Sequence, residues 1–389
     1  MVNAPKQISI LGSTGSIGKS TLDVVRSLKS RVRVFGLSAN TREADLVRQI
    51  EEFKPIAAAA GEKPSAELQS ACLRCGTELV CGREGLARVA TLPEADLVVN
   101  ALLGAAGIEP TLAAIYAGKD VAIANKESLV AAGKLILEEA EEVGVNLIPV
   151  DSEHSAIYQC LRGENAKAVR RIILTASGGS LIDMDPETLQ NVTAEEALSH
   201  PTWKMGRKVT IDSATLLNKG FEVIEARWLF GIEAERIEVV IERKSIVHSL
   251  VEFVDGSVSA VLSAPDMRLP IQYALTSPER METAFSRLDL GAIGGLTFEQ
   301  PDRDKFPCLA LAYEALRLDG TAPAVLSAAD EITVAAFLAG RIKFGDIHPI
   351  LRDVLAKHAP APADDLETIL DADRWARAAA EGAIARRVR

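Results

Sequence analysis

The sequence predicts an α/β protein built from an N-terminal doubly wound (Rossmann-like) parallel sheet, a central α+β domain and a C-terminal helical bundle. Three observations carry that expectation. Short apolar runs alternate with amphipathic stretches through residues 1–150. Asp255 and Gly256, a two-residue hairpin signal, sit between two apolar segments. From residue 309 onward the pattern is helical, with few strand formers. The expected parts are residues 1–150, 151–290 and 312–389, with a Gly- and Pro-rich linker at 291–311.

In the first part, residues 8–11, 32–37, 56–60, 97–101, 121–124 and 145–150 read as buried strands. Residues 20–28, 43–53, 110–117 and 127–142 read as the helices between them. Such alternation gives parallel βαβ units with helices on both faces. In the central part, 246–254 and 257–262 form the hairpin, and Thr193 with Glu196 makes a capping box for a helix leading toward His200. The last part holds helical segments at 309–316, 324–338, 347–356 and 364–384.

Composition narrows the class. The chain has 389 residues and a formal net charge of −11, which argues against a nucleic-acid partner but leaves room for an anionic small molecule in a local basic pocket. Residues 1–6 carry no targeting pattern, and the most apolar stretch, 97–118, is broken by Asn100, Glu109 and Pro110, so no membrane span is expected. Five cysteines, an odd number, suit a reducing cytoplasm. Cys72, Cys75 and Cys81 lack a fourth zinc ligand and read as small residues on a helix and the loop after it. His248, His348 and His358 read as structural.

Gly12, Gly15 and Gly18 follow the first strand and open a helix, where backbone and helix N-terminus can approach a pyrophosphate; a turn without a ligand is the bland alternative. The second strand ends Ser38-Ala39-Asn40-Thr41-Arg42, with no carboxylate before Glu43. Arg42 is therefore placed for a 2′-phosphate, which favours NADP over NAD.

Asp151 and Glu153 follow the sixth strand, and two hard oxygen donors suit Mg²⁺ or Mn²⁺; a helix cap near Ser155 is the alternative. In the segment Asp212 to Glu222, the residues Ser213, Asn218 and Lys219 are donors suited to a phosphate, and Glu222 offers a third carboxylate. An ordinary capped helix with a solvated Lys–Glu face explains that segment equally well. Ser177-Gly178-Gly179 ends a strand, and residues 200–206 look like a closing loop with an exposed Trp203.

Taken together, GSTGSIG, NALLGAAG, ANKESLV, PVDSEH, SGG, HPTWKMGRK, DSATLLNKGFE and SAPDMR resemble the 1-deoxy-D-xylulose 5-phosphate reductoisomerase family in order along the chain. The resemblance implies NADPH held by Thr14, Gly15, Ser16 and Ile17, with Asn125, Glu127 and Gly206 toward the nicotinamide, while the strand end itself places Asn40 and Arg42 toward the 2′-phosphate. It implies one Mg²⁺ or Mn²⁺, and Co²⁺ in many members, held by Asp151, Glu153 and Glu222. The sugar phosphate would meet Lys126, Ser152, Glu153, Ser177, His200, Ser213, Asn218, Lys219 and Glu222, with Lys126, Asp151, Glu153 and Glu222 as the catalytic set. Trp203 and Met205 would belong to a closing loop at about 200–208, and the family implies a homodimer. The implied reaction rearranges and reduces 1-deoxy-D-xylulose 5-phosphate to 2-C-methyl-D-erythritol 4-phosphate.

Some positions depart from the family pattern. Asn40-Thr41-Arg42 replaces a common Ala-Gly-Lys/Ser-Asn type of string, Ser180-Leu181 replaces Pro-Phe, and Asp330 stands at a common Asn position. Two other readings of the residues are a plain NADP-dependent dehydrogenase of another phosphorylated or carboxylated aldehyde, and a non-catalytic nucleotide sensor. The carboxylate trio discriminates against the first, and Lys126 with Glu153 against the second.

Overall fold

The apolar run in β1 (Lys6–Leu11) is buried from Ile8 to Leu11, at the middle of a seven-stranded sheet in the computed structural model, which describes residues 4–387. Chain order continues through α1 (Ser16–Leu28), β2 (Val32–Ser38), α2 (Glu43–Phe53), β3 (Ala57–Ala60), α3 (Ala66–Cys75), β4 (Glu78–Cys81) and α4 (Gly82–Ala90). Then come β5 (Leu97–Asn100), α5 (Ile108–Tyr116), β6 (Asp120–Ile123), α6 (Lys126–Val143), β7 (Leu147–Pro149) and α7 (Ser152–Cys160).

The sheet order is β4-β3-β2-β1-β5-β6-β7, and all neighbours are parallel. The chain runs outward from β1 to β4, then returns to the far side of β1 with β5. That reversal leaves a crevice at the carboxyl ends of β1 and β5, the usual ligand position in such sheets.

This sheet belongs to one of two compact units, made of Met1–Ser128, Ile136–Ser155 and Asp266–Ser286. Its late segment carries α11 (Arg268–Thr276), which packs on α1. The sequence reading counts residues 266–286 with the central segment. They pack in the first unit instead, because Ile271, Ala274 and Leu275 give α11 a buried apolar face.

The second unit comprises Leu129–Leu135, Ala156–Pro265 and Arg287–Arg389. Between α7 and α11 lie β8 (Val169–Ala176), α8 (Ala194–Leu198), α9 (Arg207–Ala214), α10 (Leu217–Phe230), β9 (Ile237–Ile241), β10 (Val247–Phe253) and β11 (Val258–Leu262). The strands form a mixed sheet ordered β11-β10-β8-β9, with β8 and β9 parallel and the β10–β11 hairpin antiparallel. Asp255 and Gly256 make the expected turn, Gly256 at φ +85°. Thr193 and Glu196 make the expected capping box on α8.

The chain ends with α12 (Leu290–Ile293), α13 (Cys308–Leu318), α14 (Ala322–Leu338), α15 (Ile347–Leu355) and α16 (Leu366–Ala385). One apolar cluster joins Leu174 and Val251 of the mixed sheet to Phe221 of α10, Phe306, Leu326 of α14 and Leu351 of α15. Gly220 lies at the contact of α10 with α13, where an added Cβ would meet the Ala312 Cβ at 2.8 Å. A glycine inside a helix is intrinsically unfavourable, and close helix approach is what it provides here.

Two other local expectations change. Residues 66–90 hold the helices α3 and α4 and the strand β4, so the parallel sheet has seven strands rather than six. Cys72 and Cys75 lie on α3, while Cys81 ends β4 rather than occupying a loop. β4 is a four-residue, half-buried edge strand, too short for an apolar run to show.

Candidate active site

The glycine-rich turn leaves β1 inside the crevice. Gly12 has φ +80°, and a Cβ there would lie 2.6 Å from the Ala101 carbonyl oxygen beyond β5. A Cβ on Gly18 would lie 2.4 Å from the Gly12 oxygen, so the close approach of α1 to the turn requires glycine. α1 opens at Ser16, four residues earlier than the sequence suggests, which puts its free N–H groups directly at the turn.

Buried polar side chains hold the turn in place. The Ser13 hydroxyl donates to the Gln49 Oε1 at 2.6 Å, Gln49 Nε2 donates to the Ser13 carbonyl at 3.0 Å, and the Gly12 N–H donates to the Ser38 hydroxyl at 2.9 Å. Sequence reasoning missed Ser13, Ser38 and Gln49. A glutamine among Leu46, Val47 and Ile50 on the buried face of α2 was the available signal. Arg42 Nη1 donates to the Thr14 carbonyl at 3.0 Å, which brings this exposed guanidinium onto the rim of the turn. Asn40 is exposed one residue past the Ser38-Ala39 strand end, and Thr14 is buried with Ser16 exposed and Ile17 partly buried.

Asn125 and Lys126 lie where β6 passes into α6. The Asn125 Oδ1 caps α6 by accepting from the Ser128 N–H, and its Nδ2 donates to the carbonyls of Leu102 and Gly104. The side chain is 1% exposed, so its amide is engaged in shaping the 102–104 loop. Glu127 is buried beside it, 3.4 Å from Asn125 Nδ2.

Lys126 Nζ is 2.8 Å from Asp151 Oδ2. Burial works to raise the Asp151 pKa, and the Lys126 ammonium, with smaller help from His154 and Glu153, outweighs it and holds the carboxyl below the usual carboxylate range. Asp151 and Glu153 follow β7, but they do not share the face of an extended chain, as residues two apart in a continued strand would. β7 stops at Pro149 and α7 starts at Ser152, so the pair meets across a strand-to-helix junction. They still converge, with oxygens within 4.8 Å of one another, and the Ser152 hydroxyl donates to Glu153 Oε2 at 2.6 Å. The Ser155 N–H bonds back to the Asp151 carbonyl, so the helix begins well before residue 155.

In the second unit, Ser177-Gly178-Gly179 turns at the end of β8, with φ +91° and +74° at the two glycines. A Cβ on Gly179 would lie 2.4 Å from the Ser213 carbonyl oxygen, so glycine lets this turn press against the end of α9 and brings Ser177 and Ser213 to one place. His200 Nε2 lies 2.9 Å from the Ser177 hydroxyl. Its Nδ1 accepts the backbone N–H groups of Thr202 and Trp203. Burial lowers the His200 pKa.

Leu216, in the left-handed region at φ +60°, makes the corner between α9 and α10 and sets Asn218 and Lys219 in the first turn of α10. Glu222 is 2% exposed and is held by both: Asn218 Nδ2 donates at 2.6 Å, and Lys219 Nζ pairs with the other oxygen. The Lys219–Glu222 pair is therefore buried, not a solvated helix face. Trp203 is half-buried rather than exposed, edge-on to His248 with ring centroids 6.3 Å apart. Gly206 begins α9 in open space.

Sequence-family profiles described as 1-deoxy-D-xylulose 5-phosphate reductoisomerase, the same family's C-terminal domain, and the DXP reductoisomerase C-terminal domain match residues 8–133, 147–230 and 262–379. The 1-deoxy-D-xylulose 5-phosphate reductoisomerase of Pelotomaculum thermopropionicum is 54% identical over 376 residues, covering 96% of this chain and 97% of the relative. The chain belongs to the 1-deoxy-D-xylulose 5-phosphate reductoisomerase family.

The reductoisomerase of Chlorobium chlorochromatii is 53% identical over 373 residues, covering 96% of this chain and 98% of its own. A solved reductoisomerase in complex with NADPH, fosmidomycin and magnesium matches at TM-score 0.93 and 42% identity, covering 98% of each chain. The Zymomonas mobilis reductoisomerase in complex with NADPH matches at TM-score 0.92 and 42% identity, covering 98% of this chain and 99% of its own. The reductoisomerase fold thus accounts for the two sheets and the terminal helices, as the sequence predicts.

Proposed function

We infer that this chain is an NADPH- and divalent-metal-dependent oxidoreductase that rearranges and reduces 1-deoxy-D-xylulose 5-phosphate to 2-C-methyl-D-erythritol 4-phosphate, a step of isoprenoid-precursor synthesis. The observation that carries the reading is the Lys126–Asp151 pair beside Glu153, an ammonium and two carboxylates on the carboxyl side of a nucleotide-type sheet. A plain hydride transfer needs no such group.

The residues present fit both cofactors. The Gly12–Gly18 cradle has no room for a Cβ at either end, and Arg42 stands at its rim as a cation for a 2′-phosphate. Thr14, Gly15, Ser16 and Ile17 are the proposed pyrophosphate contacts, with Asn40 at the adenosine end and Asn125, Glu127 and Gly206 toward the nicotinamide. Asp151, Glu153 and Glu222 are the proposed ligands of one cation, an all-oxygen set suited to Mg²⁺ and also to Mn²⁺ or Co²⁺. When bound, NADPH supplies the hydride, and the cation supplies Lewis acidity toward the carbonyl and hydroxyl oxygens of the sugar.

The chain's own groups do the rest. Lys126 holds a proton at Nζ and presents it to the developing oxyanion, with Asp151 fixing its direction. Ser177, Ser213, Asn218 and Lys219 grip the phosphate, and Ser152 and His200 flank the carbon skeleton, so binding at the remote end orients the reacting one. Residues 200–208, with Trp203 and Met205, close over the sugar and exclude water.

We place the enzyme in the cytoplasm, in keeping with its odd number of cysteines, and read it as a homodimer. The open edge of β11, with Val258 and Leu262 exposed beside Val254, offers a second copy a strand to pair with. No described helix is long and apolar enough to cross a membrane. The test of the reaction is NADPH oxidation with 1-deoxy-D-xylulose 5-phosphate, with and without a chelator. Turnover that stops on chelation and returns with Mg²⁺ is expected; turnover indifferent to chelation would overturn the role of the carboxylates.

A further inference from the structure

Three acidic or basic side chains of the second unit, none of them a proposed metal or substrate contact, lie together. Lys208 is the second residue of α9 and the last of the closing loop. Its Nζ lies 2.7 Å from Asp212 Oδ2 on the same helix and 2.6 Å from Asp330 Oδ2 on α14. The two carboxylates are buried, at 2% and 1% side-chain exposure. The ammonium also stands 5.1 Å from the centroid of the Phe221 ring on α10. One cation thus ties the start of α9 to two other helices.

We propose that Lys208, gripped between Asp212 and Asp330, is a positioning device that fixes where the closing loop joins α9 and so sets His200 and Ser213 for the sugar phosphate. The proposal rests on the assigned reaction and on the reading of residues 200–208 as its closing loop.

The path from the cluster to the substrate contacts is short. Gly206 provides no side-chain cap for α9, and the Lys208 grip ties this end of the helix to α14. Ser213 follows Asp212 directly on α9, and its carbonyl sits against Gly179, where not even a Cβ would fit. A slide of α9 along α14 therefore displaces Ser213 and presses on the turn that carries Ser177. On the other side of Lys208, His200 is joined to Thr202 and Trp203 by backbone bonds, so a loosened hinge moves the imidazole as well. The negative field is also felt nearby: burial, with Asp330 and Asp212 adding to it, pushes the Cys308 thiol up. Asp330 stands at a position where asparagine would keep the Lys208 contact through its amide oxygen.

The decisive variant is Asp330→Leu in the full chain, which leaves the Lys208–Asp212 pair on α9 and removes the tie to α14. Expected is a KM for 1-deoxy-D-xylulose 5-phosphate raised on the order of tenfold, with kcat within about threefold and the KM for NADPH unchanged. Asp330→Asn is expected to restore the wild-type KM. A merely structural role predicts a lower Tm with an unchanged KM, and that result, or an equal rise in both KM values, would overturn the proposal. Should Asp330→Leu not fold, Lys208→Gln is read by the same split. Absence of turnover in the wild-type chain would strike the assigned reaction itself, whereas an active wild type with no KM shift in the variants strikes only the positioning role.

Discussion

His200 and Ser177 are joined at 2.9 Å through Nε2, while the opposite ring nitrogen of His200 accepts two backbone N–H groups. An Nδ1 that accepts carries no proton, so Nε2 carries it and the imidazole donates to the Ser177 hydroxyl. The ring thus links the conformation of residues 202–203 to a proposed phosphate contact.

Acid should break that link. Burial lowers the folded pKa of His200 below its unfolded value, so its contribution to stability is complete above the ordinary imidazole value of about 6.5 and is lost as pH falls toward the folded value. An imidazolium cannot accept from Thr202 and Trp203. A pH profile of kcat/KM for the sugar phosphate should therefore show an acid limb below about 6.5, flattened in His200→Gln. An identical limb in the variant would assign the titration elsewhere.

Glu222→Gln keeps the shape of a side chain held by Asn218 and Lys219 but removes its charge. The metal-dependent rate should fall by about a hundredfold or more, while NADPH affinity measured by fluorescence titration stays within about twofold. Equal losses in both would contradict its assignment as a metal ligand.

Arg42→Gln removes the cation at the rim of the glycine-rich turn. Loss of charge-assisted bonds of about 1.5–3 kcal/mol predicts a KM for NADPH raised roughly ten- to a hundredfold, with NADH little affected. Parallel initial-rate measurements with the two nucleotides read this directly.

Phe221 is fully buried and stands in the apolar cluster that joins the mixed sheet to the terminal helices. Phe221→Ala should cost about 3–5 kcal/mol by leaving a cavity, seen as a lower unfolding midpoint in denaturant.

Much of the candidate site is legible because the residues proposed for it stand in short contiguous strings. The turn at Gly12 to Gly18 combines a bend with hydroxyls, Asp151 and Glu153 are carboxylates two apart, and the run from Ser213 to Glu222 gathers a hydroxyl, an amide, an ammonium and a carboxylate. What escaped was set by packing at long range. Nothing near Ser13 announces that Gln49 bonds to it, and nothing near Lys208 announces Asp330. The carboxylates of Asp151 and Glu153 converge because a helix start, and not an extended strand, brings their oxygens together. β4 was missed because a short edge strand buries too little to impose a pattern.

The contact of α11 with α1 has a consequence for synthesis on the ribosome. α1 is made among the first thirty or so residues, yet the helix that covers part of it, Arg268–Thr276, emerges more than two hundred residues later. Until then the nascent chain carries an uncovered apolar face, which makes it a natural client for chaperones and sets a lower limit on the length at which vectorial folding of the nucleotide half can finish.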